Sequence, residues 1–358
     1  MARHIAVLGA GAIGGSIGGY FTREGHDVTL IDQWAAHVDK IRSDGLKLTD
    51  LEKVFTVKPR ALHLSDVSSL QEQFDIVFLS VKSYDTRWSA LLIEPFLKPD
   101  GFVLPAQNAL NDEAVAAIVG AERTVGCVVT ISAGVYEPGH VIRTDPPTAH
   151  AFSVGELSGR VTPRVQEVAA MLKAIGPSEV TPNIRGARWA KMVTNCMANA
   201  LSGIMGPQAT SLSSELRRTA GLVRATIGGE VVRVAQKLGL EVEPISGVMA
   251  REFADAITGS AVRQLEAKLD AATAERRLSP EQVKHLGAPG RPSLLQDVMK
   301  GRRTEVDYFN GYVVARGAEL GVPTPMNRAI LELMQKVERR EVPPSPDHLK
   351  ALAQYIPA

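Results

Sequence analysis

Three polar side chains recur at helical spacing in an otherwise apolar stretch: Lys191, Asn195 and Asn199 within Arg188–Ile204. At i, i+4 and i+8 they share one side of a helix, while Met192, Val193, Cys196, Met197, Leu201 and Ile204 share the opposite side and are expected to face a core. A lysine and two amides are costly to bury without partners, so the stripe lines either water or a polar site. The bland alternative is the solvated face of an amphipathic helix. In a site, an ammonium stabilises and protonates a developing oxyanion, and neutral amides hold a polar ligand without adding charge.

A second group stands at the start of the chain. The buried-strand pattern Ile5-Ala-Val-Leu8 runs directly into Gly9-Ala-Gly11-Ala12-Ile13-Gly14, then a helix to about Glu24 and a second strand, Val28–Ile31. In this context G-x-G-x-x-G is a dinucleotide-binding turn. The first glycine permits the tight turn, the second admits a pyrophosphate, and the third lets helix pack on strand. Gly9, Gly11, Ala12, Ile13 and Gly14 are the expected phosphate contacts, aided by the helix N-terminus. Asp32 ends the second strand, where a carboxylate can accept from both ribose hydroxyls and would repel a 2′-phosphate. The residues that follow, Gln33-Trp34-Ala-Ala, include no Arg or Lys, and His37 and Lys40 are the nearest basic groups. The pattern reads as NAD over NADP; the competing role for Asp32 is a helix cap.

Two further candidates stand at predicted strand ends, where open α/β sheets bind their ligands. Lys82 follows Phe74–Val81, and Asn108 follows Gly101–Pro105. Lys82 is expected near phosphate or ribose, and Asn108 near nicotinamide and substrate; a solvated lysine and a turn asparagine are the plain alternatives.

These residues need two kinds of scaffold, and 358 residues allow two domains. Residues 1–182 alternate strands and helices, with Gly45–Leu64 reading as a short strand pair and Thr124–Gly159 as an antiparallel extension of the sheet. Residues 183–358 read as helical, with segments at Ser213–Leu238, Pro244–Arg277, Thr304–Leu320 and Asn327–Arg339, and a looser stretch at Leu278–Gly290. The fold class is α/β: an N-terminal Rossmann dinucleotide-binding domain followed by an all-α C-terminal domain. A net charge of +1 gives no case for nucleic acid or an anionic membrane, and no apolar run is long enough to span one. The N-terminal apolar run is broken by glycines and reads as a strand, not a signal peptide. The two cysteines, Cys127 and Cys196, are expected as buried thiols in a reducing cytoplasm, and no metal-ligand spacing occurs.

Taken together, these motifs resemble the ketopantoate reductase (2-dehydropantoate 2-reductase) family. The resemblance is carried by the glycine turn, Val81-Lys-Ser-Tyr-Asp-Thr86, Gln107-Asn108, Lys191-x-x-x-Asn195-x-x-x-Asn199, Ser293-Leu-Leu-Gln-Asp297 and Gly301-Arg-x-Thr304-Glu305-Val-Asp-Tyr-x-Asn310-Gly311, nearly end to end in family order. It implies a Rossmann domain joined to a helical substrate-binding and dimerisation domain, an NAD(P) cofactor and a homodimer. It implies that Lys191 protonates a keto oxygen as hydride arrives, that Asn108 helps hold that oxygen, and that Asn195, Asn199 and Ser293 hold the substrate. It places Glu305 near Lys191 and the cofactor ribose, and Lys82 near the cofactor. Helix starts would explain Glu305 and Ser293 equally.

Three features depart from the family pattern: Asp32 where many relatives carry a basic residue, Ala109 after Asn108 where Asn-Gly is usual, and the 94 positions from Asn199 to Ser293 with Gly290 where some relatives place an Asn. The expected activity is 2-dehydropantoate reduction to pantoate in the pantothenate pathway. The alternatives are an NAD-linked catabolic dehydrogenase of the same family, an opine-type dehydrogenase, and a non-catalytic Rossmann cofactor sensor.

Overall fold

The computed structural model describes residues 3–273, 279–287 and 290–358. The chain divides into two units, Met1–Ile184 with Leu278–Gly290, and Arg185–Arg277 with Arg291–Ala358.

The first unit carries β1 (His4–Leu8), β2 (Asp27–Asp32), β3 (Leu46–Thr49), β4 (Val54–Val57), β5 (Arg60–His63) and β6 (Phe74–Leu79). They are followed by β7 (Leu97–Pro105), β8 (Val125–Val129), β9 (Ala133–Glu137), β10 (His140–Arg143), β11 (Phe152–Glu156) and β12 (Ser178–Val180). One sheet is parallel throughout, in the order β5-β2-β1-β6-β7. The chain builds outward from β1 to β5 on one side and then crosses to β6 on the other. The topological switch point is therefore at the carboxyl ends of β1 and β6, where such sheets bind ligands. Alternate side chains feed two cores. Ile5 and Val7 pack with Ile17, Phe21, Ile76 and Phe78, while Ala6 and Leu8 pack with Val77, Leu79 and Ile93 on the other face. With both faces covered, the strands are apolar almost without break.

Two stretches differ from expectation. Gly45–Leu64 forms three strands, not two, and the third, β5, takes an edge of the parallel sheet. Thr124–Gly159 does not extend that sheet as one antiparallel run; it divides between a sheet ordered β12-β11-β8 and another ordered β4-β3-β10-β9, in which β10 runs parallel to β3. The reason lies in the helix Ala12–Arg23, which has two bare faces. A Cβ at Gly15 would meet Val141 Cγ2 at 2.7 Å, and one at Gly19 would meet Leu48 Cδ1 at 2.5 Å. On the other side, Gly14 and Gly18 leave room for Gly9 and Leu30. The second sheet closes on a surface that only glycine provides.

Among its described residues the second unit is helical. Its helix Ile184–Met205 buries Met192, Val193, Cys196, Met197, Leu201 and Ile204. Helix Ser214–Lys237 is capped by Ser213, whose Oγ accepts from the Leu216 N–H at 3.3 Å. Residues Pro244–Arg277 contain helices Ala250–Ala254 and Gly259–Thr273. Leu278–Gly290, which groups with the first unit and is expected to be loose, holds helix Pro280–Leu286, started by a capping box between Ser279 and Gln282. Residues 274–278 and 288–289 of these stretches lie outside the described residues. Thr304–Leu320 is not one helix. Val306–Tyr308 is a 3₁₀ turn, and the α-helix begins at Asn310. The Thr304 N–H and Oγ1 both donate to Glu338 Oε2, at 3.1 and 2.5 Å, which ties Thr304 to the far end of helix Pro325–Glu338 and holds Glu305 in a loop. Among the described residues no helix is long and apolar enough to cross a membrane.

Candidate active site

The sequence candidates fall into one group in each unit. In the first, Gly9 has φ +95°, and a Cβ there would lie 2.8 Å from the Ser80 carbonyl carbon and the Val81 nitrogen. The turn after β1 therefore rests against the exit of β6, the segment that leads into Lys82. At Gly11 an added Cβ would meet nothing within 4 Å, so that side of the turn is open. With the helix Ala12–Arg23 starting there, the residues fit a pyrophosphate.

Asp32 is drawn onto the same turn. Its Oδ2 accepts the Ala10 N–H at 2.6 Å, and its Oδ1 accepts the Trp34 N–H at 2.8 Å. Each oxygen keeps a lone pair for a ribose hydroxyl. His37, one of the two basic candidates, is buried. Its Nε2 donates to the Ala10 carbonyl at 3.0 Å, and its Nδ1 accepts the Gly139 N–H at 2.9 Å. That pattern belongs to a neutral imidazole, and burial holds its pKa below the ordinary value, against the Ala10 bond and the Asp32 charge. Lys40, the other candidate, pairs with Asp44 at 2.6 Å.

Asn108 follows β7, and one residue that sequence reasoning missed, Asn111, holds its backbone. Asn111 Nδ2 donates to the Asn108 carbonyl at 2.7 Å and to Ser83 Oγ at 3.2 Å. Gln107 joins the ends of β6 and β7, its Nε2 donating to the Val81 carbonyl at 2.8 Å and Thr86 Oγ1 at 2.9 Å. A second asparagine three positions beyond Asn108 was the available signal. Ala109 has φ +65°, the left-handed region in which an L side chain is strained. The backbone at Ala109 is thus kept under strain of about 1 kcal/mol. Ala109→Gly is expected to raise the thermal unfolding midpoint by about 2 °C; an unchanged or lower midpoint would refute the strain.

In the second unit the polar stripe of helix Ile184–Met205 is not a solvated face. Asn195 and Asn199 are buried, and Lys191 is half-buried. Asn199 Nδ2 donates to Asn195 Oδ1 at 3.1 Å, and Asn199 Oδ1 accepts the Ser293 N–H at 3.0 Å. The stripe therefore captures the start of helix Ser293–Met299, bringing Asn195, Asn199 and Ser293 together. Ser293 is the first helical residue and not its cap. Glu305 is 3% exposed, and its side chain does not cap the turn that follows it. A further carboxylate, Glu230, escaped sequence reasoning. It is buried and accepts the N–H groups of Met326 and Asn327 at 2.9 and 2.8 Å, and Asn327 Nδ2 at 2.7 Å. Asn327 Oδ1 in turn accepts from Asn310 Nδ2 at 2.9 Å, at the helix start just beyond Glu305. The signal was a lone acid in the apolar run Ile227-Gly-Gly-Glu-Val-Val232.

Comparison with known proteins covers both units. The family model described as ketopantoate reductase PanE/ApbA matches residues 5–159, and its C-terminal companion matches 183–338. The 2-dehydropantoate 2-reductase of Archaeoglobus fulgidus is 29% identical over 344 residues, covering 94% of this chain and 98% of its own. The crystal structure of a PanE/ApbA family ketopantoate reductase from Ralstonia eutropha is 30% identical, with a TM-score of 0.72, covering 94% of this chain and 99% of that one. D-mandelate dehydrogenase, solved with NADH and anilino(oxo)acetate, is 25% identical, with a TM-score of 0.74 and coverage of 94% and 98%. The parallel sheet with its glycine turn, the helical unit and these matches lead to one conclusion: the chain belongs to the ketopantoate reductase PanE/ApbA family of nicotinamide-dependent oxidoreductases acting on CH–OH groups.

Proposed function

We propose that the chain exchanges hydride between NAD(H) and a small 2-keto acid/2-hydroxy acid pair, with 2-dehydropantoate and pantoate as the leading pair. The reading is carried by the polar stripe of helix Ile184–Met205, in which Asn199 links Asn195, one helical turn beyond Lys191, to the start of the Ser293 helix. A cofactor sensor has no need of a lysine in line with those amides.

A bound nicotinamide supplies or takes the hydride. Lys191 donates the proton that the keto oxygen needs, its ammonium stabilising the negative charge as it develops. Asn108 holds the same oxygen. Asn195, Asn199 and Ser293 hold the carboxylate and hydroxyl end with neutral groups, so the lysine keeps its task. Glu305 supports the charged form of Lys191. Gly9, Gly11, Ala12, Ile13 and Gly14 receive the pyrophosphate, Lys82 supports the cofactor, and Asp32 accepts from the adenosine ribose. The reading includes two domains, 1–182 and 183–358, and a homodimer.

NAD is preferred over NADP because Asp32 repels a 2′-phosphate while His37 is neutral and doubly bonded and Lys40 is paired. A second reading, oxidation of a different 2-hydroxy acid with NAD⁺, is favoured by this same Asp32 and by the similarity to a D-mandelate dehydrogenase solved with NADH. Initial rates with ketopantoate and either reduced cofactor test both. Turnover with NADH well above that with NADPH is expected. NADPH binding at least as tightly as NADH would overturn the preference. NADH binding without ketopantoate turnover would shift the assignment to the second reading, to be followed with a panel of 2-hydroxy acids and NAD⁺.

A further inference from the structure

Trp34 is 43% exposed and stands two residues beyond Asp32. Its backbone N–H is bonded to Asp32 Oδ1, and the other oxygen of the same carboxylate holds the glycine turn through the Ala10 N–H. Its indole lies parallel to the His37 imidazole, with centroids 5.2 Å apart and planes 7° apart. His37 is fixed from both ring nitrogens, by the Ala10 carbonyl and the Gly139 N–H. The indole is therefore backed by a neutral, immobile ring and remains open to solvent elsewhere. A rigid aromatic surface of this kind loses little freedom when a flat ligand settles on it.

We propose that Trp34 is the stacking platform for the adenine base of the cofactor. The proposal rests on the reading that Asp32 accepts the adenosine ribose hydroxyls. In that ribose the base is joined to C1′, the neighbour of the carbon that carries the 2′-hydroxyl. A ribose held by Asp32 thus brings its base within reach of a side chain whose own N–H is bonded to that carboxylate. Adenine carries no charge, so an aromatic face holds it without any ionic partner. The base, Trp34 and His37 would form one continuous stack. His37 explains why the platform is preformed, because both of its hydrogen bonds are made within the protein. The surface recognises a π-face, not a hydrogen-bonding edge, so it favours ligands that carry a base over those that lack one.

The test is calorimetric titration of the full chain with NADH, ADP-ribose and reduced nicotinamide mononucleotide, for wild type, Trp34→Ala and Trp34→Phe. Trp34→Ala is expected to weaken NADH and ADP-ribose about tenfold, and to leave the mononucleotide, which has no adenine, as in wild type. Trp34→Phe keeps a ring over His37 and is expected to retain most of the affinity. ADP-ribose is expected to quench indole emission in wild type and to lose that quenching in Trp34→Phe. If wild type binds NADH but Trp34→Ala binds ADP-ribose equally well, the platform is overturned and the cofactor reading stands. If wild type binds neither ligand, both fall. Should Trp34→Ala fail to fold, identical quenching in wild type and Trp34→Phe overturns the proposal by itself.

Discussion

Lys191→Ala is expected to lower kcat by about 10³-fold while leaving NADH affinity close to that of wild type. The lysine is the only ammonium on the polar stripe of helix Ile184–Met205, whose remaining members are amides. Amides can hold a substrate oxygen, but they do not release a proton to it. Removing the lysine therefore removes both the proton and the charge that stabilises the alkoxide as it forms. The side chain is half-buried and the core face of its helix is untouched, so folding should survive. Thermal unfolding, NADH titration and steady-state kinetics together decide the matter. Loss of turnover with cofactor binding retained marks an enzyme. A variant unchanged in turnover would remove Lys191 from the chemistry, and wild type that binds cofactor without turning over any 2-keto or 2-hydroxy acid would revive the sensor.

The second large effect is on stability. Glu230→Ala is expected to lower the unfolding free energy by about 4 kcal/mol, or the midpoint by about 10 °C. Glu230 projects from helix Ser214–Lys237 and accepts the Met326 and Asn327 N–H groups, which no residue of their own helix satisfies at its start. Deleting the carboxylate leaves these donors and Asn327 Nδ2 buried without it. Burial pushes the Glu230 carboxyl above its ordinary range, against the lowering effect of those donors. An acid raised in the folded state binds more protons there than when unfolded. Its contribution therefore falls as pH rises from the unfolded value through the folded one, and is level above. Glu230→Gln should abolish that slope and still be less stable than wild type, because its NH₂ group faces donors. Equal midpoints for wild type and both variants would show that the cluster is dispensable. Because Asn327 continues to Asn310, the same variants should also loosen the loop that carries Glu305.

Much of this architecture was legible before any coordinates. Period-two and continuous apolar runs mark β1, β2 and β6 because both faces of a parallel sheet are covered. The spacing of Lys191, Asn195 and Asn199 marks one helix face because 3.6-residue periodicity leaves no other arrangement. Other features depend on distant partners. Thr304–Leu320 has helical composition throughout, and only the bonds from Thr304 to Glu338, 34 positions away, make its first turn a loop. The sheet made by β3, β4, β9 and β10 was hidden because it pairs β3 with β10, two strands far apart along the chain. At the site, residue types were visible, but their pairings were not. Asn199 reads as a substrate ligand, and only the structure reveals that its amide also joins Asn195 to Ser293. His37 reads as a candidate cation, yet its two hydrogen bonds make it a neutral support.

The glycine-faced helix after β1 also bears on how this protein can change. Pressed between two sheets through Gly14 and Gly18 on one side and Gly15 and Gly19 on the other, it has no position on those faces where a larger side chain could be accommodated by drift. Gln33 and Trp34, beyond the end of β2, are exposed, so a change there disturbs no core packing. Divergence in nucleotide preference has its free ground there, at the rim of the sheet, while the helix that meets the phosphates stays a fixed inheritance.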